Sequence, residues 1–224
     1  MDKKEQIKRI KARHSVRQYT ETPLEEAVIK ELEKEIAACN DEGGLHIQLV
    51  KNEPKAFNGF MAHYGKFSGV TNYIALIGPK NAGLDEACGY YGERLVLLAQ
   101  SLGVNSCWVA MSYDKSKAGC KLDAGEKLCV VISLGYGATQ GVPHKSKSAE
   151  QVMAAKGEVP QWFRAGVEAA LLAPTAMNQQ KFKFVLEDGA VAASAGMGFY
   201  SKVDLGIAKY HFELGAGRKN FRWK

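Results

Sequence analysis

Apolar residues recur along the chain with two periods, and the switches between them outline a mixed helix and strand protein. Residues 3–12 carry Ile7 and Ile10 among charges, the spacing of a short amphipathic helix. A basic run, 13–19, interrupts it. At 22–25 the sequence Thr-Pro-Leu-Glu predicts a helix start, with Thr22 as N-cap, Pro23 at the first helical position and Glu25 completing a capping box. That helix is expected to run to about Cys39. Residues 46–50 and 72–77 read as strands, the second ended by Gly78 and Pro79. The longest helical pattern spans 84–102 and closes at Gly103, and a tight apolar stretch, 106–111, follows. Residues 128–134 are continuously apolar and rich in β-branched side chains, which predicts a buried strand broken by Gly135-Tyr136-Gly137.

Beyond a basic crossing segment at 143–148, residues 159–173 are helical, with Trp162, Phe163 and Leu172 as apolar anchors and Pro174 as the stop. Strands are expected at 181–186 and 190–197, joined by a turn at Asp188-Gly189, and a last helix at 203–214. The two parts repeat one order: helix, Asn-containing loop, strand, strand, helix. Ile36-Ala37-Ala38-Cys39-Asn40 ahead of 46–50 parallels Ala169, Ala170 and Asn178 ahead of 182–186, and Gly92 and Gly103 stand as far apart as Gly206 and Gly217, an internal repeat or a coincidence of short patterns.

Composition narrows the classes. With 224 residues, 46% hydrophobic and 24% charged, the chain can bury a core as one large domain or two small ones. No apolar run approaches the roughly 20 residues of a membrane-spanning helix. The charged start, Met1-Asp2-Lys3-Lys4-Glu5, offers no secretory segment, so a cytoplasmic setting is expected. Five cysteines without a CxxC pair suggest neither a disulfide framework nor a zinc ribbon, and Cys107 and Cys129 sit in apolar stretches as small buried hydrophobes. The histidines are scattered, and no metal is expected. A net charge of +6 admits either a nucleic-acid surface or a phosphate-bearing ligand. Because the basic residues are dispersed and not interleaved with aromatics, the ligand is favoured over nucleic acid, and no membrane partner is expected.

Four segments carry chemistry. Arg13-His14-Ser15-Val16-Arg17 is extended, so its alternate residues Arg13, Ser15 and Arg17 point to one side, two guanidiniums flanking a hydroxyl. That set suits a phosphate or polyol, although a solvated basic loop has the same composition. Pro143-His144-Lys145-Ser146-Lys147 is a second cationic cluster with the same alternation. Pro174-Thr175-Ala176-Met177-Asn178-Gln179-Gln180 is turn-rich and offers donors and acceptors together, or a capped helix stop. The small and apolar residues of 103–110 let backbone approach a flat ring, or simply pack the core.

Together these motifs resemble the FMN-dependent nitroreductase family, and most of all a branch that holds two related half-domains in one chain. The resemblance covers nearly the whole sequence. It rests on Arg13, Ser15 and Arg17 of an R-x-S-x-R/K opening, with His14 between them, and on Pro174, Thr175, Asn178 and Gln180 of a P-S-x-x-N-x-Q string. Leu102, Gly103, Ser106, Cys107 and Trp108 match an L-G-x-x-S-C-W helix end. Leu134-Gly135-Tyr136 matches the end of the buried strand, with the basic pair Lys145 and Lys147 beyond. The resemblance implies an α+β fold, a mixed sheet between helical layers with internal pseudo-duplication. The first half, 1–150, would bind phosphate and the second, 151–224, would supply the flavin-ring loop.

It further implies that Arg13, His14, Ser15 and Arg17, with Lys145 and Lys147, hold the FMN phosphate. Pro174, Thr175 and Asn178 would meet the ring, and the backbone at Val109 and Ala110 would face the flavin N5. NAD(P)H would be the donor and an electron-poor small molecule, such as a nitroaromatic or quinone, the acceptor. No catalytic side chain is demanded. An enone or dehalogenating reductase on the same scaffold, and a non-catalytic flavin sensor, are the alternatives. Departures are the early string Ala38-Cys39-Asn40-Asp41, a poor match, Thr175 for serine, Lys181-Phe182 for Pro-Trp, and Ala110 where an acidic residue often stands. With one good string and one arginine motif, a monomer acting as a pseudo-dimer is expected, a homodimer being the alternative.

Overall fold

A computed structural model describes residues 3–224. In chain order its helices and strands are α1 Lys3–Ala12, α2 Glu26–Gly43, β1 Gln48–Val50, α3 Phe60–Tyr64, β2 Asn72–Pro79, α4 Leu84–Ser101, β3 Asn105–Val109 and β4 Glu126–Gly135. They continue with α5 Ala149–Val152, β5 Met153–Ala155, α6 Gln161–Ala170, β6 Phe182–Glu187, β7 Ala190–Ala195, α7 Ser201–Ala216 and β8 Arg222–Trp223. The expected long elements are all present, within a few residues of their expected bounds. The short α3, α5, β5 and β8 span five, four, three and two residues, too few to show a period in the sequence.

Three local expectations are corrected. The Thr22–Glu25 capping box does not form. Glu25 itself is the extended N-cap residue, and α2 begins at Glu26, after Leu24 has been drawn into the core. The helix also outlasts Cys39, closing at Gly44 in the left-handed region, whose N–H donates to the Asn40 carbonyl. Strand β1 starts two residues late because Ile47 is already engaged. The Asn40 side chain accepts from the Ile47 N–H at 2.7 Å and donates to its carbonyl at 3.0 Å.

The fold is α+β, with two four-stranded sheets in place of the single mixed sheet expected. The first, in the order β1-β2-β4-β3, is antiparallel throughout. Its central strands β2 and β4 are buried on both faces, which is why 128–134 reads as an unbroken apolar run. The second, β5-β6-β7-β8, is mixed, with a central antiparallel hairpin and a parallel strand on either edge. That hairpin turns at Asp188-Gly189, both with positive φ (50° and 71°), as a two-residue turn matched to strand twist requires.

Contacts divide the chain into two compact units that are interleaved in sequence, unlike the contiguous parts 1–150 and 151–224. One comprises 13–84 and 94–142 and contains the first sheet; the other comprises 1–12, 85–93 and 143–224 and contains the second. In the second unit, Phe163, Phe184, Phe212, Phe221 and Trp223 form the aromatic core, with Phe184 and Phe212 stacked at 4.6 Å. The physical reason for the interleaving is the attachment of the N-terminal half of α4 to α7. Glu86 pairs with Lys209 at 2.6 Å, the Tyr90 hydroxyl donates to Glu213 at 2.7 Å, and Glu93 meets His211 at 2.8 Å with both side chains fully buried. The second ring nitrogen of His211 lies 3.1 Å from the Ala169 carbonyl of α6, so the pair ties three helices together.

That attachment needs glycine. A Cβ on Gly206 would lie 2.0 Å from the Glu86 carbonyl oxygen, and one on Gly89 2.0 Å from that of Val203. Gly206→Ala is therefore expected to lower stability by about 1–3 kcal/mol through overpacking, although alanine is the better helix former. Denaturant unfolding of the variant measures this; an unchanged midpoint would mean that the helices can separate at no cost.

Candidate functional site

The basic segment after α1 has no secondary structure of its own, yet its backbone is hydrogen-bonded along its length. Ser15 bridges to Ser106 of β3, and the Val16 N–H donates to the Ser106 carbonyl at 3.0 Å. Ser68 accepts from the Tyr19 N–H and donates to the Arg17 carbonyl, each at 3.0 Å, and the Thr20 N–H donates to Tyr136 at 2.8 Å. The Tyr19 hydroxyl is buried, donating to the Val16 carbonyl at 2.6 Å beside Ser133 Oγ at 2.9 Å. Asn105 fixes the neighbouring glycine turn, accepting from the Gly137 N–H at 2.9 Å and donating to Gln140 at 3.1 Å. Gly141, with φ of 69°, brings backbone against His14, where a Cβ would meet the His14 side chain at 2.8 Å.

Residues 13, 15 and 17 each influence the buried Cys107 thiol. Ser15 hydrogen-bonds the buried Cys107 thiol, and the Arg13 and Arg17 charges both favour its ionised form. Burial outweighs them and pushes the thiol pKa up, so Cys107 is an unreactive core thiol rather than a nucleophile. Arg13 is 4% exposed, whereas Arg17 is open to solvent, 6.0 Å over the Phe67 ring. Val109, the last residue of β3, is buried, and Ala110 half-buried.

The other site residues belong to the second unit. Lys145 and Lys147 lie with the 174–180 string, joined to it by the buried Gln180. Gln180 Nε2 donates to the Lys145 carbonyl at 2.8 Å and to Asn178 Oδ1 at 2.7 Å, while its Oε1 accepts from the Lys147 N–H at 2.8 Å. Asn178 Nδ2 also donates to the Lys145 carbonyl, at 2.8 Å, and Thr175 Oγ1 accepts from the Gln180 N–H at 3.1 Å. Lys147 Nζ donates to the carbonyls of Gln179 and Gln180 at 2.9 and 3.0 Å. The string is conformationally costly. Met177, Asn178 and Gln180 all have left-handed backbone, with φ of 52°, 54° and 44°, at roughly 1–2 kcal/mol for an ordinary side chain. Pro174 is buried ahead of it.

One participant escapes sequence reasoning. Asp204, in the first turn of α7, accepts from the Ala176 N–H at 2.9 Å and from Gln179 Nε2 at 2.7 Å. It is 2% exposed, and burial raises its pKa from 3.8 to about 6 against the lowering effect of those two bonds. A lone aspartate between Val203 and Leu205 has no distinguishing pattern; the apolar residues around it are the only hint.

A third cluster was not expected. His46 Nδ1 stands 2.8 Å from Glu126 and 3.9 Å from Asp123, within the reach of one cation. The other ring nitrogen faces Gln48 Nε2 at 3.1 Å, and Gln48 is oriented by Lys121 through both its amide atoms. The amide therefore donates to Nε2, leaving the proton on Nδ1 for Glu126.

The protein belongs to a nitroreductase family. Residues 5–216 match the family described as "Putative TM nitroreductase". Among solved structures, the chain is similar to a "putative nitroreductase" of Thermotoga maritima at 24% identity and TM-score 0.65, covering 96% of this chain and 84% of that one. It is similar to a nitroreductase-like protein of Streptococcus mutans at 16% identity and TM-score 0.55, covering 66% and 96%. A third, from Desulfovibrio desulfuricans, is a "putative nitroreductase" in complex with FMN, at 17% identity and TM-score 0.54, covering 69% and 98%. These likenesses establish the fold. No protein with a curated description matches the chain. Among the described residues no helix is long and apolar enough to cross a membrane.

The raised Asp204 pKa has a consequence for stability. Because the folded chain holds this proton more tightly than the unfolded chain, the stabilisation is fully present below pH 3.8 and lost as pH rises through about 6. From pH 7.5 down to 4, the wild type should gain about 2 kcal/mol relative to Asp204→Asn, which has no proton to bind there. Unfolding of both proteins across that range measures it; parallel stability curves would show that Asp204 titrates normally.

Proposed function

We propose that the protein is an FMN-dependent oxidoreductase that takes hydride from NAD(P)H and reduces an electron-poor acceptor such as a nitroaromatic or quinone. The observation that carries this reading is that Arg13, Ser15 and Arg17 lie on a short segment fastened to β3 through Ser15 and Ser106. Two fixed positive charges and a hydroxyl form the donor set a phosphate monoester needs, and guanidiniums can bind it in bidentate fashion. The membership in a nitroreductase family and the FMN held by the Desulfovibrio protein support the same cofactor.

In this reading Arg13, Ser15 and Arg17 take the phosphate, with His14 beside them. Lys145 and Lys147 add positive charge, Pro174, Thr175 and Asn178 form the ring loop, and the backbone at Val109 and Ala110 lies along the reactive edge. The protein's part is to bind and orient; FMN supplies the two-electron chemistry. One FMN per chain is expected, in a monomer or homodimer, and the cytoplasm is the compartment proposed.

Arg17→Ala tests the phosphate assignment without disturbing the core, because Arg17 is exposed. Losing a charge-assisted contact of about 1.5–3 kcal/mol should weaken FMN binding by roughly one to two decades. Riboflavin, which lacks the phosphate, should bind the variant and the wild type alike. Equal losses for both flavins, or for neither, would remove Arg17 from the phosphate site. Oxidation of NADH or NADPH by the wild type in the presence of a nitroaromatic separates an enzyme from a flavin-binding sensor.

A further inference from the structure

The 174–180 string holds an unfavourable conformation for which its own sequence gives little support. Met177 and Gln180 are not residues that prefer left-handed backbone, and only Asn178 tolerates it well. Such strain persists where surrounding contacts over-determine the chain. Gln180 provides one set, inside the string and to 145–147. The other set comes from α7 and runs through a single carboxylate. Asp204 holds the start of the string by the Ala176 N–H and its end by the Gln179 amide. The same Gln179 Nε2 donates to the Phe199 carbonyl at 3.0 Å, so the loop ahead of α7 is fastened in the same stroke.

Given that the string meets the flavin ring, as proposed above, we infer that Asp204 is the positioning residue that holds Thr175 and Asn178 in their ring-facing conformation.

The chemistry of the carboxylate explains why an acid occupies this buried place. The two groups that bond to it are neutral donors approaching separate oxygens, an arrangement that only a side chain with two acceptor atoms satisfies. Asparagine is nearly the same shape and fails. If its oxygen keeps the Ala176 N–H, its amide group faces the Gln179 amide, donor to donor. Rotating the Gln179 amide relieves that clash but turns its oxygen onto the Phe199 carbonyl. Either arrangement breaks one link of the latch. The burial of an ionisable group costs stability, and a purely space-filling residue would avoid that cost.

The test compares wild type, Asp204→Asn and Gln179→Ala, using FMN and riboflavin as probes. Gln179→Ala cuts the same latch without altering the buried acid, and carries the test if Asp204→Asn does not fold. Both variants should bind FMN and riboflavin roughly tenfold more weakly, the loss expected of one charge-assisted hydrogen bond, with the ratio of the two affinities unchanged. The visible absorption of the bound flavin should shift toward that of free flavin. Hydrogen exchange at 176–181 should accelerate while the amides of β6 and β7 keep their protection. Affinities equal to wild type, or a loss confined to FMN, would overturn the inference. Failure of wild type to bind either flavin would instead overturn the flavin reading. The latch would then stand or fall on hydrogen exchange alone, unchanged rates at 176–181 overturning it.

Discussion

Two polar segments without regular structure must stay ordered, and the rest of the architecture is arranged to meet that constraint. Buried peptide groups outside helices and sheets need partners as much as those inside them. Residues 15–20 find theirs in backbone, at Ser106, Ser68 and Tyr136, as if borrowing the edge of a sheet. Residues 174–180 find theirs largely in side chains, those of Asp204, Thr175 and Lys147. The first solution is stiff because it is continuous with strands. The second is jointed, since each link is one side chain.

Under the proposed function the two solutions suit different tasks. A phosphate is recognised by fixed charge and fixed donors, so a segment laid on β3, beside the buried β4, is a natural support. A flat ring that exchanges hydride needs donors and acceptors set at closer tolerance, on a loop whose shape can be tuned. The left-handed residues of the string and the raised pKa of Asp204 record local strain and an ill-solvated charge held by a well-packed helix. The Glu93–His211 pair and the glycine contacts between α4 and α7 keep that helix in place.

What the sequence alone could show follows from the range of the forces involved. Periodicity located α4, β4, α6 and the β6–β7 hairpin, because helix and strand spacing are properties of neighbouring residues. The alternation of residues 13, 15 and 17 was legible for the same reason, and the family resemblance was carried by short motifs of this kind. Tertiary structure decided everything that depended on distant partners. It moved the start of α2 past Leu24, delayed β1 by committing Ile47 to Asn40, and split the expected single sheet in two. It interleaved the compact units by joining residues 85–93 to α7, and it brought Asp204 under a string some 25 positions earlier, at Ala176 and Gln179. Hydrogen bonds and burial act through space, and nothing in the local pattern around Asp204 records which amides it will meet.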